Sequence, residues 1–203
     1  FAYQHSATSK IPPSCELAVC ASPDQDVLAA LDDLANAVGA TQETVARCPR
    51  VEPDAPSGPL TAAGIGQSIS LAMPEGATLV DEAATAGLDL YIHTAGARRH
   101  EYLYAIPGAA IGNGLPVALG AAVACPDRKV VALQADGSGM YTNQALWSMA
   151  SEQCDVTVVI LKNDAYAVLN VELARVRDDE PTEKMLSMLE IDRPSIDWVK
   201  ISE

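Results

Sequence analysis

Apolar positions along this chain fall into short blocks whose spacing alternates between helical and strand-like. Between residues 24 and 40, Val27, Leu28, Leu31, Leu34, Ala35 and Val38 recur every three or four positions, which predicts a helix with one apolar face, Asp24 as its N-cap and Gly39 beyond its end. Upstream, Pro12, Pro13 and Pro23 interrupt any regular pattern, and only 17–20 reads as a short edge strand. Residues 49–59 carry four prolines and read as a linker. Beyond it, 61–71 is a weak helix and 77–80 a buried strand ending at Asp81 and Glu82. Between 86 and 107 the pattern is poor: one apolar piece at 88–92 precedes Arg98, Arg99, His100 and Glu101, which read as a solvated loop. The signal sharpens after Gly108, Gly112 and Gly114. Residues 115–124 form an apolar helix that tolerates Pro116 in its first turn, and 130–133 a strand running into Ala135 and Asp136. A helix at 143–153, capped by Thr142 or Asn143, leads to a strand at 156–161 whose β-branched residues show no alternation, as expected of a parallel strand buried on both faces. Helical stretches at 165–176, 184–189 and 196–201 follow. The order of elements predicts an α/β fold, a parallel sheet with helices on both faces.

Composition narrows this. A chain of 203 residues buries roughly 70% of its unfolded surface, enough for one sizeable core. The single helix and strand of 1–48 cannot make a core, so that stretch is expected to be the tail of another α/β domain, with 49–59 as linker and 60–203 as a second domain. Thirteen basic against 27 acidic residues, a net charge of −14, argue against nucleic acid or an anionic membrane as partner, and no apolar run reaches the roughly 18 residues of a membrane span. The five cysteines are odd in number and show no CxxC spacing, which favours reduced thiols in the cytoplasm or another reducing compartment over a disulfide framework or a zinc site. The first residue is Phe1, which suggests a fragment or a processed product.

Candidate chemistry centres on 135–164. Asp136 and Asn163 lie 27 residues apart, about one strand, helix, strand crossover, and each follows a predicted strand. In a parallel sheet both would then sit at the carboxyl edge, where strands about 4.8 Å apart bring their side chains to one ion. One carboxylate, one amide oxygen and a backbone carbonyl make an oxygen-only half-shell suited to magnesium, which completes its octahedron with water and substrate phosphates. The turn Gly137, Ser138, Gly139 would offer backbone amides and a hydroxyl to the same phosphates.

These residues resemble the Gly-Asp-Gly-Ser to Asn-Asn motif of thiamine diphosphate enzymes. From Asp81 to about Ser202 the chain is similar to the cofactor-binding domain of the acetolactate synthase-like group, as in Asp81-Glu82-Ala83-Ala84-Thr85, Gly112-Asn113-Gly114-Leu115-Pro116 and Tyr141-Thr142-Asn143-Gln144-Ala145-Leu146-Trp147. The resemblance implies a thiamine diphosphate-binding fold, with residues 1–40 resembling the end of the central domain of the same enzymes. It implies Asp136, Asn163 and the Ala165 carbonyl as Mg2+ ligands, and Thr85, Gly137, Ser138 and Tyr166 around the diphosphate. Ile111 matches the bulky position on which the family bends its cofactor, and the Ala109 backbone matches the contact to the aminopyrimidine; the bent shape makes proton removal intramolecular.

Three departures stand out. Ala135 replaces the motif's first glycine and Lys162 its first asparagine, and Glu172, one turn after the substrate-facing Leu169, stands where acetolactate synthases resemble one another in having tryptophan. Glu172 is either a proton-transfer group or a solvated helix residue. The implied activity is a thiamine diphosphate- and Mg2+-dependent 2-oxo acid carboligase or decarboxylase; the alternatives are a benzoylformate decarboxylase-like or 2-hydroxyacyl lyase-like enzyme, and a non-catalytic cofactor-binding or oligomerisation module. Nothing in the chain resembles the pyrimidine-binding domain whose glutamate activates the cofactor in the family. The expectation is therefore a homodimer or homotetramer in which missing sequence or a partner chain supplies that domain, the isolated chain being inactive. His93, Arg98, Arg99 and His100 receive no role.

Overall fold

The computed structural model describes residues 19–22, 24–40, 49–105, 110–176 and 180–203. Two compact units divide the chain, Phe1–Arg47 and Cys48–Glu203. In the first, helix α1 (Val27–Ala37) follows the predicted spacing, and its stripe of Val27, Leu28, Leu31 and Leu34 is exposed. Its N-cap is Asp26 rather than Asp24: the Asp26 carboxylate accepts the Leu28 and Ala29 amides at 3.0 and 3.1 Å, while Asp24 accepts from the Ser22 hydroxyl. Of the strand expected at 17–20, residues 17 and 18 lie outside the described residues, and 19 and 20 are not in a strand.

The second unit is built on four parallel strands, β1 (Thr78–Glu82), β2 (Glu101–Tyr104), β3 (Val130–Ala135) and β4 (Val156–Leu161), in the order β2-β1-β3-β4. The chain enters at β1, steps outward to β2, then returns past β1 to lay down β3 and β4. Its direction across the sheet therefore reverses between β1 and β3, and open α/β sheets bind ligands outside the carboxyl ends of strands at such a reversal. Helices α2 (Ala62–Ala72) and α3 (Gly87–Thr94) cover one face, with Ile69, Met73, Leu79, Leu90, Val131 and Leu133 buried between them. On the other face α4 (Gly114–Ala124) and α6 (Gln144–Ser151) bury Val80, Leu115, Ala118, Val130, Ala132 and Met149. Alternate residues of β1 and β3 thus point into two cores, which is why the central strands read as continuous apolar runs. A single turn, α5 (Asp136–Gly139), joins β3 to α6, and α7 (Ala167–Val176), α8 (Glu183–Ser187) and α9 (Trp198–Ser202) complete the unit.

Three details differ from the sequence reading. The stretch 86–107 holds a helix and an edge strand, and Glu101 is that strand's first residue rather than part of a loop. Strand β2 is mostly exposed, so its Tyr102 and Tyr104 carry β-propensity without the apolar pattern that marks a buried strand. Strand β4 is half-buried instead of buried on both faces, because among the described residues it is the other edge of the sheet. Cys20, Cys125 and Cys154 are free thiols, and among the described residues no helix is long and apolar enough to cross a membrane.

Candidate functional site

A cleft of about 520 Å³ opens at the carboxyl ends of β1, β3 and β4, where the chain reverses across the sheet. Its walls come from the turn after β1, from Ile111, from the start of α5 and from the loop after β4, with Ile65 of α2 and its N-cap Thr61 closing one side. The sequence singled out most of these residues; it missed the α2 wall, since nothing in a weakly apolar helix shows which way its first turn faces.

Asp136 stands at the centre. It is only 1% exposed, and its carboxylate accepts three amides: Gly137 at 2.9 Å on Oδ1, and Asn163 at 3.1 Å and Asp164 at 2.8 Å on Oδ2. The side chain at the end of β3 thereby ties down the loop after β4, and the predicted juxtaposition of Asp136 with Asn163 is present. Three accepted bonds leave a carboxylate with lone-pair capacity to spare. Asn163 Oδ1 accepts the Ala165 amide at 3.1 Å and also retains a lone pair. Ala165 forms a bridge with Glu190 in which the Tyr166 amide donates to Leu189 and the Ile191 amide to Asp164, a pairing that leaves the Ala165 carbonyl out. This pairing is why α7 begins at Ala167 rather than at 165. Asp136, Asn163 and Ala165 all line the cleft, a carboxylate, an amide and a backbone carbonyl on one wall.

Gly137 lies under the ring of Tyr166: a Cβ built on it would sit 2.6 Å from Tyr166 Cε1. Burial, followed by Tyr141 and then the Asp136 charge, raises the Tyr166 hydroxyl above the ordinary tyrosine range, so it is a donor at neutral pH. The Ser138 hydroxyl donates to the Ala135 carbonyl at 3.2 Å and receives Gln134 Nε2 at 2.6 Å. Ala135, where the motif has glycine, is in extended backbone that any residue adopts. Lys162 turns its ammonium to Asp164 and, at 2.8 Å, to Ser195 Oγ, while Ser195 donates to Asp164 at 2.9 Å. That contact from 33 residues away had no signal in the sequence. The hydrogen bond from Lys162 and then that from Ser195 hold the half-buried Asp164 carboxyl below its ordinary range.

Ile111 borders the cleft and is 41% exposed, and Thr85 lies on the single turn Ala84–Ala86 with its side chain in the cleft wall. Ala109 lies outside the described residues. Thr142, proposed as a helix cap, instead donates from Oγ1 to the Gly112 carbonyl at 2.7 Å, and the cap position of α6 falls to Asn143 with no side-chain bond. Leu169 and Glu172 do not border the cleft: Leu169 is exposed on α7, and Glu172 pairs with Arg175 at 2.9 Å on the surface. His100 Nδ1 donates to the Arg98 carbonyl, 2.7 Å away, and Arg98 reaches the Met73 carbonyl at 3.5 Å, so both serve the loop before β2.

Residues 90–203 match the family described as thiamine pyrophosphate enzyme, C-terminal TPP binding domain. Along its whole length the chain is 45% identical to IlvX of Mycobacterium tuberculosis (strain ATCC 25618 / H37Rv), which carries the name of an acetolactate synthase large subunit, and it spans 39% of that protein. Over 112 residues, 55% of this chain and 21% of the relative, it is 32% identical to benzoylformate decarboxylase of Pseudomonas aeruginosa. Among solved structures, the thiamine diphosphate-dependent 4-hydroxybenzoylformate decarboxylase of Rhodococcus jostii RHA1 superposes with a TM-score of 0.62 at 26% identity, covering 86% of this chain and 32% of that one.

Proposed function

This chain belongs to the thiamine pyrophosphate enzymes, and we propose that its cleft holds the diphosphate end of thiamine diphosphate through Mg2+, as part of an enzyme acting on 2-oxo acids. The observation that carries the reading is Asp136, a carboxylate buried in the cleft and tied by the amides of Gly137, Asn163 and Asp164. Asp136, Asn163 and the Ala165 carbonyl would take the ion, and the ion would offset the repulsion between a diphosphate and a chain of charge −14. Thr85 and Tyr166 would supply hydroxyl donors around the diphosphate, with Gly137 and Ser138 beside it, and Ile111 would supply apolar bulk at the cleft edge. The cofactor, once bound, supplies the electron sink for breaking the bond between a keto carbon and its carboxylate.

The reaction favoured is that of an acetolactate synthase-like carboligase, in which a second carbonyl compound receives the fragment left after loss of carbon dioxide. A simple decarboxylase of the benzoylformate type, in which a proton takes that place, is the second reading and rests on the two decarboxylase relatives. Because the chain spans 39% of the IlvX relative, we assign the whole activity to a longer protein or assembly. In it residues 60–203 form the diphosphate-binding domain, and another segment or a second subunit supplies the activating glutamate. Glu172 is left on the surface side of α7 with Arg175 and has no assigned part.

Calorimetric titration of thiamine diphosphate tests the reading. Binding to the chain is expected to require Mg2+ and to weaken by at least about tenfold in Asp136→Ala, the lower end of the loss seen when a metal site is disturbed. Equal binding by both proteins would sink the assignment.

A further inference from the structure

The cleft rests on a buried polar pair that the cofactor reading leaves unused. Glu82 ends β1 and is fully buried. Its Oε1 accepts the Gly112 amide at 2.5 Å and its Oε2 the Gly114 amide at 2.6 Å. Gly114 is the first residue of α4, and amides in a helix's first turn have no backbone acceptor of their own, so this carboxylate serves as the missing partner and meets the positive end of the helix. The turn it grips is held from other sides too. Thr142 binds the Gly112 carbonyl, and Asn113 Nδ2 donates to the Ala110 carbonyl at 2.9 Å. Gly112 itself has φ +89°, and a Cβ there would lie 2.7 Å from Tyr141 Cβ. Ile111, the residue before it, is thereby fixed at the edge of the cleft.

Glu82 also has a neighbour across the sheet. The β1–β3 register pairs it with Gln134, which is 1% exposed. The Gln134 amide donates from Nε2 to Ser138 Oγ, and its Oε1 has no partner. Oε1 and the Glu82 carboxylate crowd one spot: a Cβ on Gly114 would lie 2.3 Å from Gln134 Oε1 and 2.7 Å from Glu82 Oε2. Gln134 Nε2 also lies 3.3 Å from the Ala135 carbonyl, so both of its bonds go to the turn that carries Ser138.

We infer that Glu82 is a buried strut that positions the Ile111 turn on one wall of the cleft, while its neighbour Gln134 separately holds Ser138 on the other. This rests on the cleft being a thiamine diphosphate site. Glu82 touches no ligand, so its influence is confined to a ligand that reaches Ile111.

Two probes separate this role from general stability: Mg2+ with pyrophosphate, which reaches only the Asp136 and Ser138 side, and Mg2+ with thiamine diphosphate, which reaches both. Glu82→Gln places an amide NH2 against backbone N–H groups. It is expected to weaken thiamine diphosphate about tenfold and pyrophosphate less than about twofold. In the unsubstituted chain the Gly112 and Gly114 amides should exchange with solvent at least about tenfold more slowly than the neighbouring Asn113 amide, although neither lies inside a strand. Fast exchange at both glycines overturns the strut whether or not the variant folds. Equal weakening of both probes, with unsubstituted binding intact, overturns it while leaving the cofactor site standing. Failure of the unsubstituted chain to bind either probe removes the cofactor reading, and the positioning role with it, even where both glycine amides are protected.

Discussion

Adding one methyl group at Gly137 tests the architecture of the cleft through its contact with Tyr166. In Gly137→Ala the new Cβ would meet Tyr166 Cε1 at 2.6 Å, Tyr166 Cδ1 at 3.1 Å and Ile191 Cδ1 at 3.4 Å. Carbon atoms in contact prefer about 3.5–4.0 Å, so the ring edge must retreat by about 1 Å. Backbone movement offers little relief: the Tyr166 amide is bound to the Leu189 carbonyl at 2.8 Å, and the adjoining Ala165–Glu190 bridge fixes the same strand. The ring must therefore leave its rotamer and its packing, at a cost in the range of overpacked sites, about 1–3 kcal/mol. For a unit of this size a loss of about 2 kcal/mol lowers the melting temperature by about 4–8 °C. Gly120→Ala is the internal control: Gly120 lies within α4 with nothing within 4 Å of the added atom, so helix propensity alone should raise stability by up to about 1 kcal/mol. Thermal unfolding by circular dichroism reads both. Placing Gly137→Ala in a Tyr166→Ala background should remove most of its cost, since residues in contact are not additive. A Gly137→Ala protein melting within about 1 °C of the unsubstituted chain would refute the packing of Tyr166 on Gly137.

Two further outcomes follow from the charges around the sheet. The Tyr102 hydroxyl donates to the buried Asp81 carboxylate, while its ring meets Tyr91 edge-on at 5.3 Å; Tyr102→Phe keeps the ring contact and strips the donor, for a loss of about 1–3 kcal/mol at neutral pH by chemical unfolding. Burial, then the bond to Asp81, raises the Tyr102 pKa, so its contribution is complete below the unfolded tyrosine value of about 10 and is lost as pH climbs beyond it; the gap between the two proteins should narrow above about pH 10. Lys162→Met should move the Asp164 carboxyl back toward its ordinary range in a carboxyl NMR titration. Because that pKa is lowered in the folded state, its contribution is present above about pH 4 and lost as pH falls through the folded value, and the variant should lose less on acidification. An unmoved Asp164 titration would mean that the ammonium does not engage it in solution.

The parts of the site that share one crossover were readable in advance. Asp136 and Asn163 follow consecutive, adjacent parallel strands, so their meeting depends only on the length of β3-α6-β4 and on the direction of parallel pairing. What sequence could not convey was set by contacts across the fold. Glu82 and Gln134 read as ordinary strand-end residues, and only the β1–β3 register makes them a pair. Thr142 carries the local signature of a helix cap, yet its hydroxyl goes to a turn 30 residues upstream because that bond closes the cleft wall. Strand β2 was hidden by its exposure at the edge. Glu172 was singled out by the residue type that the family has at its position, and in this fold its carboxylate finds the nearer Arg175 one turn along the same helix.

The loop after β4 is fastened at two points, by the Ala165–Glu190 bridge and by the Lys162, Asp164 and Ser195 group, and both fastenings close an arm that carries α7 and α8. A polymer closed at both ends loses entropy only with the logarithm of its length, about 0.6 kcal/mol for each doubling. Beyond Tyr166, Ala167 and Val168, which line the cleft, the arm can therefore change length at small thermodynamic cost while Asn163 and Ala165 stay where they are. The fold thereby separates a stretch whose length is free to vary from the part that must not move.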